Sequence, residues 1–78
     1  MKILGFGIVK EIFNDSIIDI DLKDESTVEA LKELLERNYP LMNQMGSYMI
    51  AINNEYASAG DTIHPNDEIA IIPPVSGG

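Results

Sequence analysis

The residues best equipped for chemistry stand at the end of the chain, Ile69-Ala70-Ile71-Ile72-Pro73-Pro74-Val75-Ser76-Gly77-Gly78. A Gly-Gly ending carries a carboxylate on a thread without side chains, narrow enough to enter another protein's active site. Glycine also accepts whatever φ and ψ that site imposes. Upstream, Pro73 and Pro74 give no N–H to a sheet and fix φ near about −65°, so residues 73–78 are expected to leave the fold as a stiff, extended, polyproline-like tail. A carboxylate is a poor electrophile until it is activated. The sequence therefore reads as a reactive Gly78 carboxylate, delivered by Pro73, Pro74, Val75, Ser76 and Gly77, with residues 1–72 as its folded handle.

The remaining polar residues make weaker cases. Asp19, Asp21, Asp24 and Glu25 lack the glycine and the spacing of a calcium loop, and two of them alternate with aliphatics on a strand, so they read as a solvated acidic face that could steer a basic partner. His64 stands beside Pro65 with no cysteine and no second histidine to complete a metal site. Gly5 and Gly7 have no Gly-Lys-Ser/Thr after them and make no phosphate loop. No Ser/His/Asp or paired-carboxylate arrangement stands out, and no metal is expected.

Seventy-eight residues make one domain. A core of this size rarely supplies more than about 3–5 kcal/mol of net stability. With no cysteine, neither a disulfide nor a Cys-based zinc site can add to it, and any sulfur chemistry must proceed without a thiol side chain. The 45% hydrophobic content, rich in Ile and Leu, points to an aliphatic core, with Met42 and Met45 as filler. A net charge of −8 argues against nucleic acid and anionic membranes and favours a partner with a basic docking face. The apolar start is short, ends at Lys10-Glu11 and precedes no small-residue cleavage site, and nothing approaches the ~20 apolar residues of a membrane span. A cytoplasmic domain is expected.

Several elements must position the tail. Residues 2–9 read as a first strand whose Gly5 and Gly7 signal close packing or a bulge, with a single helical turn over Val9–Phe13. Ile18-Asp19-Ile20-Asp21-Leu22 alternates strictly, which predicts an antiparallel partner strand with its aliphatics inward. Ser26 and Glu29 have capping-box spacing, followed by a helix with Val28, Leu31, Leu34 and Leu35 on one stripe. Lys32–Glu36 and Glu33–Arg37 are spaced to pair along that helix. Pro40 ends it near Asn38. Residues 41–47 read as a short helical turn closed at Gly46, Met49–Ile52 as a strand with Asn53-Asn54 as a tight turn, Tyr56-Ala57 as an edge strand and Glu68–Ile72 as the last strand. One helix must then cover a mixed sheet of about five strands. That is an α+β, β-grasp (ubiquitin-like) arrangement with the last strand central and parallel to the first.

The ending Asp67-Glu68-Ile69-Ala70-Ile71-Ile72-Pro73-Pro74-Val75-Ser76-Gly77-Gly78 resembles that of the small subunits of molybdopterin synthase, the sulfur carriers of molybdenum cofactor biosynthesis. Lys2-Ile3-Leu4-Gly5-Phe6-Gly7, Lys10-Glu11-Ile12, Thr27-Val28-Glu29-Ala30-Leu31 and Ala51-Ile52-Asn53 are similar to that family as well. The departures touch turns, Asn53-Asn54 for a common Asn-Gly and Pro65-Asn66 for a common Asp-Gly.

The resemblance implies a mechanism. An activating enzyme transfers AMP from ATP to the Gly78 carboxylate. A sulfur donor protein then displaces AMP from this glycyl adenylate and leaves a thiocarboxylate (a 1-thioglycine). The large subunit of the synthase houses that nucleophile as it attacks a pterin precursor, two small and two large subunits forming a heterotetramer. The chain alone would catalyse nothing and would hold no cofactor stably. By the same resemblance Phe6, Tyr56 and Ile72 form a hydrophobic docking patch and Lys10 a basic contact. Ile72 also falls on the outward side of the last strand by alternation. Two other readings stand beside this one: a sulfur carrier for thiamine synthesis, which generally lacks Pro-Pro before the tail, and a ubiquitin-like protein modifier.

Overall fold

In the computed structural model, which describes residues 1–22 and 24–74, nine short strands and helical turns surround one longer helix. Strand β1 spans Lys2–Gly5, helix α1 Ile8–Phe13, strand β2 Ile17–Asp19, strand β3 Ser26–Thr27 and helix α2 Val28–Asn38. A 3-10 helix over Pro40–Gln44 follows, then β4 (Met49–Ile52), β5 (Glu55–Ala57), β6 (Thr62–Ile63) and β7 (Ile69–Ile72). Five strands form a mixed sheet in the order β2-β1-β7-β4-β5, and β3 pairs with β6 in a separate two-stranded ribbon. Strand β7 is central, parallel to β1 and antiparallel to β4. This is the β-grasp arrangement expected from the sequence.

Alternation divides the sheet into two faces. Ile3, Ile50, Ile69 and Ile71 point to the inner face and are fully or almost fully buried. Val28, Leu31 and Leu35 of α2 join them in the core, with Val9, Phe13, Met42 and Ile63. Leu34, expected on the same stripe, is only half-buried. The rings of Phe13 and Tyr39 meet at 4.8 Å and a 52° tilt, joining α1 to the end of α2.

Four local expectations are corrected by packing. The first strand stops at Gly5 rather than running to Val9, because Val9 and Phe13, four apart on a helix, both reach the core. A Cβ at Gly5 would lie 3.0 Å from Phe13 Cδ2 and from Val9 Cγ1, so Gly5 is what lets α1 lie against β1. The second strand covers Ile17–Asp19 rather than 18–22. Its partner β1 begins at Lys2, and beyond it only Met1 reaches across, exchanging backbone bonds of 2.9 Å with Ile20. Ile18, Ile20 and Leu22 still pack on the core, as the alternation requires.

The cap of α2 is Thr27, whose side-chain oxygen accepts from the Ala30 N–H at 3.2 Å, and not Ser26. Ser26 is engaged in the ribbon opposite Ile63, and the next two helix N–H groups, of Val28 and Glu29, donate to the carbonyls of Asp61 and Ala59. The loop thus performs the work a capping box would do. Finally, among the described residues neither Lys32 with Glu36 nor Glu33 with Arg37 forms an ion pair. The Lys32 ammonium sits 4.9 Å from the Tyr48 ring centroid, and Glu36 accepts the Tyr48 hydroxyl at 2.7 Å.

Candidate docking face and tail root

The register of the sheet places one residue of each strand in a single cross-strand row: Ile17 opposite Leu4, Leu4 beside Ala70, Ala70 opposite Ala51 and Ala51 opposite Tyr56. Directly paired residues share a face. The row therefore crosses all five strands on the outer face without a charge. A second pair, Ile72 opposite Met49, lies beside it. The solvent side of such a sheet is ordinarily polar. Here Ile17, Met49 and Tyr56 are 45%, 52% and 67% exposed. Uncharged, partly exposed faces of this kind are candidates for contact with a partner.

The small Ala51 and Ala70 lower the centre of the row. Phe6, Tyr56 and Ile72 stand around them, with Asn54, and together line a shallow depression of about 290 Å³. Three of the four residues singled out from the sequence thus meet at one place, although they come from the β1–α1 connection, from β5 and from β7. Lys10 does not line this depression. It lies exposed on α1. Sequence reasoning missed Leu4, Ile17, Met49, Ala51 and Ala70. Met49 and Ala51, two apart on β4, share a face, and the register makes it the face of Ile72.

Strand β7 links this face to the tail. Ile69 and Ile71 anchor it in the core while Ala70 and Ile72 look outward, and Pro73 follows directly. Gly7 receives Pro73. It adopts φ 55° and ψ −126°, a conformation open to glycine, and its missing side chain leaves the Pro73 ring in contact range. Pro74 is exposed and lines a depression together with residues of α1 and the 3-10 helix. Val75, Ser76, Gly77 and Gly78, where the reactive group was placed, lie outside the described residues, and so does most of the expected tail.

Electrostatics are confined to the periphery. Among the described residues the Met1 ammonium pairs with Asp19 at 3.1 Å, next to the Ile17 end of the row, and His64 Nδ1 lies 3.2 Å from a Glu25 carboxylate oxygen beside the β3–β6 ribbon. Asp67 accepts the His64 backbone N–H and the Asn53 side-chain N–H, and these bonds hold its carboxyl below the ordinary range. Tyr48 is displaced the other way, its hydroxyl held protonated by burial and by the adjacent Glu36 carboxylate. Among the described residues no three His, Cys, Asp or Glu side chains are grouped to hold a metal ion, and no helix is long and apolar enough to cross a membrane.

Comparison with known proteins places this architecture. The molybdopterin synthase sulfur carrier subunit of Dictyostelium discoideum is 47% identical, the match covering 99% of this chain and 94% of that protein. The human protein of the same name is 40% identical, with 100% and 93% covered. The crystal structure of SAMP1 from Haloferax volcanii superposes with a TM-score of 0.81 at 24% identity over 99% of this chain and 97% of that one, which speaks to the fold alone. Residues 3–78 match the ThiS family, and the chain belongs to that family.

Proposed function

We propose that this protein is the sulfur carrier subunit of a molybdopterin synthase. The observation that carries the reading is structural continuity. The central strand β7 presents Ile72 at the depression on the outer face and passes straight into Pro73 and Pro74, so the candidate docking face and the root of the tail belong to one continuous stretch of chain. Full-length similarity to proteins named as such subunits supports it.

The chemistry then follows from the carboxylate. One oxygen of the Gly78 carboxylate attacks the α-phosphorus of ATP, pyrophosphate leaves, and a glycyl adenylate forms on an activating enzyme. Sulfur released by a sulfur donor protein at the sulfide level (HS⁻) attacks the acyl carbon, the acyl–phosphate C–O bond breaks, AMP departs, and Gly78 becomes a thiocarboxylate. That group, a soft anion at neutral pH, is the nucleophile presented to the pterin precursor inside the large subunit, and two such deliveries provide the two sulfurs of a dithiolene. The folded domain contributes docking and aim, which convert a bimolecular attack into a positioned one. Two carrier and two large subunits make up the assembly. Phe6, Tyr56 and Ile72 form the contact, and Lys10 adds a charged contact from α1.

Intact-mass measurement after incubation with ATP, the activating enzyme and a sulfur donor tests the reading. The expected product is the chain with one oxygen replaced by sulfur, and a version extended by one residue beyond Gly78 should stay unchanged. A covalent adduct on a second protein would instead establish a modifier. Rescue of a thiamine-requiring strain, without rescue of a molybdenum-cofactor-deficient one, would establish the thiamine carrier.

A further inference from the structure

A second apolar depression, of about 400 Å³, lies between α1 and the 3-10 helix and is lined by Ile8, Ile12, Leu41, Gln44, Met45 and Pro74. It shares no lining residue with the depression around Ile72. None of the six is charged, in a chain with 13 acidic residues. Ile12 and Met45 pack partly on the core, but Ile8 and Leu41 are outside it and are 49% and 55% exposed. Folding therefore gives no reason for those two to be large and apolar.

The occupant follows from where the tail begins. Pro74 is one wall of the groove, and Pro73, one residue earlier, rests on Gly7, which immediately precedes α1. The groove and the tail root are thus fixed to each other. Four residues separate Pro74 from the end of Gly78, a span of at most about 14 Å when fully extended. A protein that encloses the Gly78 carboxylate must bring the rim of its channel within that reach, and the surface waiting there is the groove. Resting on the function proposed above, we propose that this groove is a second contact for the large subunit, filled by an apolar side chain from the rim of the channel that admits the tail. Gln44 supplies the one polar side chain able to orient it. The outer sheet face then holds one flank of the tail root and the groove holds the other end of the contact.

The test is calorimetric titration of the large subunit with full-length wild-type chain and with Leu41→Glu, Ile8→Glu, Leu41→Met and Ile72→Lys, the thermal melting of each variant being recorded in parallel. Both glutamates replace half-exposed side chains outside the core, so the fold should be retained. Each should weaken binding by about tenfold or more, while Leu41→Met, which keeps volume and apolarity, should stay within about twofold of wild type. Affinity of a folded Leu41→Glu and Ile8→Glu within about twofold of wild type overturns the groove contact. So does tighter binding, which would mean that the chain's own tail had occupied the groove, and so does self-association of wild type that Leu41→Glu abolishes, which would assign the groove to a second copy. If wild type does not bind the large subunit at all, the functional reading fails and this proposal with it. Loss of binding in Ile72→Lys beside unchanged Leu41→Glu and Ile8→Glu preserves the functional reading and overturns the groove alone.

Discussion

Gly7 and Pro73 meet where the chain leaves the sheet: a Cβ on Gly7 would stand 3.3 Å from Cγ of the Pro73 ring. Gly7 also sits at φ 55°, ψ −126°, where an L side chain is strained. Gly7→Ala should therefore cost about 1–3 kcal/mol, and at about 4–8 °C per kcal/mol for a domain of this size it should melt several degrees lower. The crowding falls on the tail root, so sulfur transfer should decline as well, measured at a temperature where the variant is still folded. Unchanged melting would show that the backbone at Gly7 relaxes out of the positive-φ region, and unchanged transfer that Pro73 moves aside without consequence for the tail.

The start of α2 offers a paired comparison. Ser26 and Thr27 both stand in the β3–β6 ribbon, but only the Thr27 side chain caps the helix. Thr27→Ala should lose about 1 kcal/mol in urea unfolding, and Ser26→Ala only a few tenths. The reverse order would restore Ser26 as the cap.

Tyr48 gives a signature at alkaline pH. Its hydroxyl donates to Glu36 at 2.7 Å, and burial together with that carboxylate raises its pKa well above the ordinary 10.0. The unfolded chain releases this proton first, so the contribution of Tyr48 is complete below pH 10.0 and is lost as pH rises above it. Tyr48→Phe should cost about 1 kcal/mol near neutrality. The gap between the two proteins in urea midpoint should narrow as pH climbs through the ordinary tyrosine value. A gap independent of pH would show that the hydroxyl titrates alike in both states.

Asp67 acts at the acid end. Backbone and side-chain donors from His64 and Asn53 lower its pKa below 3.8, so its stabilisation is present above that value and fades as pH falls through the lower, folded value. The bonds join the Asn53-Asn54 turn to the turn before β7, with Glu68 N–H donating to the Asn53 side chain at 3.0 Å. Asp67→Ala should destabilise the protein at neutral pH, and the difference from wild type should shrink in acid. A constant difference down the acid limb would mean that the carboxylate charge plays no part.

Local signals in the sequence located what local physics decides. Helix α2 was legible because its stripe, its polar flank and Pro40 agree, and it ends at Asn38 as Pro40 requires. Asn53 and Asn54 were legible as a turn because asparagine tolerates positive φ, and they adopt 50° and 72°. Helix α1 was half hidden, since Ile8 and Val9 have strand composition, and only the burial of Val9 and Phe13 against Gly5 decides for a helix. The β3–β6 ribbon, two residues a side, is too short to show a period. Of the site, Ile72 could be placed outward by alternation, and Phe6 and Tyr56 by resemblance. Its extent could not be read, because Ile17, Leu4, Ala70, Ala51 and Tyr56 become one row only through a register that five separate strands set together.

Met49 provides the sharpest test of that row, because its strand suggested nothing about docking. It is 52% exposed and lies directly opposite Ile72 on the outer face, while its neighbour Ile50 is buried in the core. Met49→Lys leaves the inner face untouched and keeps a long unbranched stem, so stability should stay within about 0.5 kcal/mol of wild type. On the proposed function the added ammonium would be buried against the large subunit without a partner, and affinity should fall by about tenfold or more. The cause is desolvation rather than long-range charge, so raising the salt should recover little of the lost affinity. Recovery to wild-type affinity in high salt would show that Met49 lies at the rim, and the contact would then centre on Phe6 and Tyr56 instead.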